Sequence, residues 1–375
     1  MEATEMRRRP GPSRGPVDWP VAARLAGRVA SPGPVASRTE LVDLVAALRV
    51  AATDATAHAS RITGLTPADG TDAARSSVSL VQVVDRAGWA SANVRVLESF
   101  SASLTDGLTD GEPPSQAVRL VGAAQVGGVL GLLAGKVLGQ FDPFTADASA
   151  PRGRLLLVAP NILQVERALE VEPADFRLWV ALHEQTHALQ FAAAPWLADH
   201  LRERAAVLLE DLGGHVGLGE RDGHRTGPDL GDLAQLAVEA LTGRDAGYGV
   251  LDLLSAEQRS LLEEVSAVMA LLEGHADVAM DAVGRSVVPS VRQIRARFEA
   301  RRDQGAQARG VQRVVRRLLG LDAKLAQYRD GAAFVREVRR TVGNDQFNVV
   351  FSGPEQLPTP HEIGDPLSWV RRVHG

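Results

Sequence analysis

From Trp19 onward, apolar residues recur mostly every three or four positions, the spacing of a helix with one buried face. Ser37-Arg-Thr-Glu40 is a capping-box pattern and opens a helix through Leu41, Leu44, Val45, Leu48 and Val50. A second helix is expected over 78–97, then a loop from Thr105 to Ser115, where Asp-Gly and Pro-Pro pairs cluster. Arg154 to Ala159 breaks the rhythm. It is short, continuously apolar and stopped by Pro160, which predicts a strand. Asn161 with Gln164 is read as the cap of a short helix. Pro173 suits the first turn of the next, which should run to about Ala193. Residues 211–232, with seven glycines, predict a long loop. Ser255 and Gln258 cap a helix reaching about Val283, and further helices are expected over 290–302, 307–319 and 332–342. The fold class is therefore mainly α (α+β), with many helices and few short strands.

Leu120 to Gly135 is the most membrane-like stretch, but 16 residues fall short of the roughly 20 needed to span a bilayer. It is read as a buried helix. Gly127, Gly131 and Gly135 recur every fourth residue, giving one smooth face for close contact with a neighbouring helix. Residues 1–16, rich in Arg, Pro and Gly, read as a disordered tail with no secretory signal. The rest, 17–375, reads as one domain, with a helical N-terminal part to about 150 and a metal-site part from about 151.

Composition narrows the function. A net charge of −5 argues against nucleic acid as a partner. With no cysteine, any metal must be held by His, Asp or Glu, and the chain fits the cytosol. No membrane partner is expected, and the sequence sets no oligomeric state.

The candidate chemistry lies in Leu178 to Phe191. There His183-Glu184-Gln185-Thr186-His187 is an H-E-x-x-H string. On a helix, residues four apart stack on one face, so both imidazoles can reach one zinc ion, Zn2+. Glu184 is turned aside from that line and can act as general base towards a water that zinc acidifies. Leu178 to Leu182 make the preceding turn apolar on every side, so the helix is buried, and its polar residues need partners.

A catalytic zinc takes three protein ligands and keeps one position open. The third is expected in Leu271 to Ala282, where Val265, Met269, Leu272, Ala276 and Met280 form an apolar stripe with Glu273 and Asp277 along its edge. Glu273 is assigned as ligand and Asp277 as the group that orients a ligand histidine. His275 is the rival ligand; two residues from Glu273, it points roughly to the opposite side and otherwise could border the cleft. Tyr328 is a candidate oxyanion contact. The apolar strand before the motif helix could offer its edge to an extended peptide.

Several strings together resemble a known family. They are Val17-Asp18-Trp19, Val84-Asp85-Arg86 with Trp89 and Asn93, Val137 to Asp142, Trp179 to Glu184, Glu273 to Asp277, Lys324 to Tyr328 and Pro354 to Pro358. In these the chain resembles the actinobacterial zincin-like metallopeptidases described as coenzyme F420 biosynthesis-associated proteins. The resemblance implies a mostly helical zincin-like fold and a zinc-dependent hydrolase, a peptidase first of all. The Glu-Gly-x-Ala string is also similar to the third-ligand segment of gluzincin aminopeptidases, although the spacer from His187 is longer here. Hydrolysis of a small metabolite and a non-catalytic binding protein are the alternatives. Cleft shape separates the first from a peptidase, and an intact Glu184 speaks against the second.

Overall fold

The computed structural model describes residues 15–73, 75–105, 114–215, 255–306 and 321–375. The predicted strand is β3, Arg154–Val158, and it forms the centre of a three-stranded sheet. β1, Leu80–Val84, runs parallel to it, and β2, Gly139–Asp142, runs antiparallel on its other side. A central position explains the unbroken apolar run, because both faces of β3 are covered. Leu155 and Leu157 enter one hydrophobic core, while Leu156 and Val158 enter a second.

The smaller core lies between the sheet and three helices: α1, Trp19–Val29; α3, Arg86–Thr105; and α4, Gln116–Leu133. The expected helix over 78–97 is thus a strand followed by a helix. Val81 and Val83 pack on the larger core and Val84 on the smaller, so tertiary burial overrides the helical reading. The glycine face of α4 does press closely on a neighbour. A Cβ on Gly127 would stand 2.7 Å from the Ala22 carbonyl oxygen, and one on Gly131 2.6 Å from Val29. The expectation of a buried helix needs correction, because only the glycine face is buried. Val118, Leu120, Val121, Val129 and Leu132 are 40–54% exposed. By length and composition, α4 is the one helix among the described residues apolar enough to cross a membrane.

The larger core holds α2, Arg38–Thr63; α5, Ala159–Leu169; α6, Pro173–Ala193; and α8, Ala256–Ala282. α7, Trp196–His215, α9, Val291–Ala306, and α10, Leu321–Phe347, pack around them. Two short C-terminal helices follow: α11, Pro360–Gly364, and α12, Pro366–His374. The capping boxes work as read at one end of α8, where Ser255 and Gln258 exchange bonds with each other's backbone. At α2, Ser37 accepts from the Glu40 amide. Asn161 is not a cap. α5 begins at Ala159, and the Asn161 side chain instead donates to the Ala134 and Val137 carbonyls while accepting from Arg86. The expected loop over 211–232 is corrected at its start, where α7 continues to His215, and its remainder and the helix over 307–319 lie outside the described residues.

The motif helix α6 is held from several sides. The Arg177 fork grips the buried Glu166 of α5 at 2.9 and 2.7 Å. Removing Arg177 would leave the buried Glu166 carboxylate without its charged partner. Asp175 accepts from the amide and hydroxyl of Ser290 ahead of α9. Gln185, at one of the two open positions inside the motif, donates to the Ala52 carbonyl and ties α6 to α2. Buried amides need such partners.

Candidate metal centre

Each side chain of the site reaches its place from an element with a separate reason to be there. α6 carries His183 and His187 one turn apart, and their Nε2 atoms stand 3.1 Å from each other. α8 brings Glu273, with Oε2 3.3 Å from His183 Nε2 and Oε1 3.8 Å from His187 Nε2. What lets α8 sit at this depth is a glycine pair. Gly274 meets Gly331 of α10 backbone to backbone, and a Cβ on either would overlap main-chain atoms of the other helix. Small residues at a crossing allow this approach.

The three donor atoms fit a zinc ion. Bonds of about 2.0–2.1 Å in a tetrahedron put neighbouring ligand atoms roughly 3.3–3.4 Å apart. The two imidazole nitrogens, 3.1 Å apart, and Glu273 Oε2, 3.3 Å from His183 Nε2, lie near that value, while His187 Nε2 stands 3.8 Å from the other carboxylate oxygen, Oε1. His183, His187 and Glu273 form the one group among the described residues in which three such ligand atoms lie within 4.8 Å of one another.

Glu184 lies one residue round the helix, almost wholly buried, beneath strand β2. A Cβ on Gly139 would stand 2.6 Å from Glu184 Cγ and 2.7 Å from its Oε1, so only glycine lets the strand pass so close. The register explains how this glycine is presented. Gly139 and Phe141 lie opposite Leu157 and Leu155, whose side chains join the core of α6. Gln140 turns to the other face, where it accepts from Trp89 Nε1 at 2.7 Å and exchanges bonds with Asn93. The strings Val84–Asn93 and Val137–Asp142 thus meet in space to set the height of β2 above Glu184.

Electrostatics follow from this crowding. Burial disfavours the charged form of His183, but the hydrogen bond and charge of Glu273, helped by Glu184 and Asp277, outweigh it and raise its pKa to about 9. Burial lowers the His187 pKa, with Glu273 pulling the other way. Without a metal, His183 therefore carries a proton among the three ligand atoms while His187 stays neutral. Burial raises Glu184 to about 7; His183 draws it back and Glu273 adds to the rise. A carboxyl poised near neutrality suits proton transfer.

The remaining expected residues are placed differently. His275 is fully buried, between the rings of Phe347 and Phe351 at 5.1 and 5.6 Å, and burial pushes its pKa down to about 3. Of the two readings of His275 as a non-ligand, a cleft residue or a core or surface histidine, the structure shows a core histidine, since an enclosed ring cannot meet substrate. Asp277 lies 3.6 Å from Arg295 and acts on His183 and His187 through its charge. The group bonded to a motif histidine is Gln190, whose Oε1 is 2.9 Å from His187 Nδ1. It was legible as an amide in an apolar helix, three residues past the motif, and was missed because nothing local names its partner. Tyr328 falls on α10, and its side chain lies outside the described residues. β3, once expected to offer an edge, is paired on both sides, and the edge beside Glu184 belongs to β2.

A family model described as zincin-like metallopeptidase matches residues 17–370. Among solved structures, the chain is similar to a proposed hydrolase with a novel fold from Chloroflexus aurantiacus. The two share 29% identity over 95% of this chain and 98% of that one, with a TM-score of 0.64. No curated protein matches. A mostly helical fold, a buried His-Glu-x-x-His helix and a glutamate delivered by a second helix thus agree with the match over nearly the whole length, and the chain belongs to the zincin-like metallopeptidase family.

Proposed function

We propose that this chain is a zinc-dependent peptidase in which His183, His187 and Glu273 hold the metal and Glu184 is the general base. The convergence of two imidazoles and one carboxylate at near-tetrahedral spacing carries this reading. Zinc bound there would acidify a water molecule and polarise the carbonyl under attack. Glu184, buried alongside the histidines, would take the proton and could return it to the leaving amine.

A peptide is favoured over a small metabolite by strand β2. Its outer edge is unpaired among the described residues, and Gly139 at its start lies directly against Glu184. An extended peptide hydrogen-bonded along Gly139–Asp142 would run past the base with alternate side chains free for selection. The link to coenzyme F420 biosynthesis that the resemblance implies names no reaction and adds no residue to this site. The test is zinc content and cleavage of a mixed peptide library, with Glu184→Gln as the comparison. About one zinc per chain, metal-dependent cleavage and an inactive but zinc-loaded variant are expected. A parent protein that takes up no zinc, or a variant that cleaves as well as the parent, overturns the assignment.

A further inference from the structure

The Gln190 side chain is fully buried, and its amide bonds to three neighbours, two through nitrogen and one through oxygen. One of them, the Leu272 carbonyl, lies 3.0 Å from Nε2 and can only accept. That contact fixes which end of the amide is nitrogen, because the flipped amide would set oxygen against oxygen. The second amide hydrogen points to His275 Nδ1 at 3.2 Å. The amide oxygen is left facing His187 Nδ1, and an oxygen of this kind can only accept.

We infer that Gln190 is a positioning residue that holds neutral His187 in the Nδ1–H tautomer, leaving a bare Nε2 lone pair turned to His183 and Glu273. A neutral imidazole has one N–H. Once Nδ1 donates to Gln190, Nε2 must be an acceptor, and Nε2 is the atom 3.1 Å from His183 and 3.8 Å from Glu273. The flipped amide would place an N–H at that position and leave no ligand there. The order of command therefore runs from a backbone carbonyl of α8, through one amide, to the ring chemistry of α6. Because Leu272 immediately precedes Glu273, the same amide also ties the carboxylate to the histidine pair.

His275 is the far end of this arrangement. Its Nδ1 accepts from Gln190, so its proton sits on Nε2, a buried atom with no hydrogen-bond partner among the described residues. An orphaned N–H is a standing cost. It is accepted here because the ring occupies the second amide hydrogen and so keeps Gln190 from turning.

The tautomer inference stands on the metal-free geometry; its consequence for zinc rests on the proposed ligand set. The test uses the full chain with 15N-labelled histidine, free of metal, at a pH where His187 is neutral. Long-range 15N–1H correlation reads which ring nitrogen bears the proton, with His187 assigned by the loss of its signals in His187→Gln. The parent should show His187 protonated at Nδ1 and His275 at Nε2. Gln190→Leu should lose the single His187 tautomer and bind zinc about 10- to 100-fold more weakly, the usual effect of removing a group that orients a ligand histidine. Gln190→Glu restores an acceptor opposite Nδ1 and should recover the tautomer, which a purely structural role would not require. A parent His187 protonated at Nε2 overturns the inference even if no variant folds. So does a Gln190→Leu protein with unchanged tautomer and zinc affinity. Should the parent bind no zinc at all, the ligand assignment fails while the tautomer measurement still decides the role of Gln190.

Discussion

Zinc and a proton compete for the same few cubic ångströms, and the competition has a size. With the His183 pKa raised to about 9, the metal-free site at pH 7 holds its proton about 99% of the time. That proton must leave before Nε2 can bind metal. Apparent zinc affinity at pH 7 should then be about 100-fold below its value above pH 9, or about 2.7 kcal/mol at 1.36 kcal/mol per pKa unit. His187, whose pKa is lowered, is already neutral in this range and contributes no second proton. Competition against a chromophoric chelator from pH 6.5 to 9.5 should show a tenfold gain per pH unit, flattening near 9. Calorimetry in two buffers of different ionisation heat should count about one proton released at pH 7. An affinity flat with pH refutes the reasoning, and a slope near two shows that a second group holds a proton. Linkage gives the matching sign for stability. A folded pKa above the unfolded 6.5 means the native state keeps a proton that the unfolded chain has released, so the metal-free fold loses stability as pH rises from 6.5 through 9.

Two further substitutions probe how the site is held. Gly331→Ala places a Cβ against the Ala270 carbonyl at the α8–α10 crossing, backbone on backbone with nothing flexible to yield. Urea unfolding should show a loss of about 1–3 kcal/mol or more, and zinc affinity should fall as Glu273 is pushed from the histidines; unchanged values for both would sink the account of that crossing. Gly139→Ala thrusts a methyl group into Glu184 and leaves the three proposed ligands untouched. Hydrolysis should drop about 100-fold with zinc content intact, as misplacing a catalytic group by about 1 Å can do. Full activity would mean that β2 does not set the position of the base.

Local pattern alone carried a good deal of this protein. The boundaries of α6 follow from Pro173 at its start, and the capping box of α8 from Ser255 and Gln258, because caps and helix periods act between residues a few positions apart. The two histidines share a face for the same reason. β1 and β2 escaped notice, since five and four residues are too short for a period to emerge and their burial comes from helices far along the chain. Glu273 and His275 stood as rival ligands in the sequence, and only the crossing of α8 with α10 at Gly274 and Gly331 turned one towards the histidines and sealed the other among phenylalanines. Asn161 looked like a cap and became the acceptor for Arg86. Nothing local to Gln185 or Gln190 names a partner, yet each ties α6 to another helix. Short-range propensity determines which side chains stand on one helix face. Which of them meet, which proton each ring carries and how far each pKa moves depend on burial and partners brought from distant parts of the chain, and these exist only once the fold has formed.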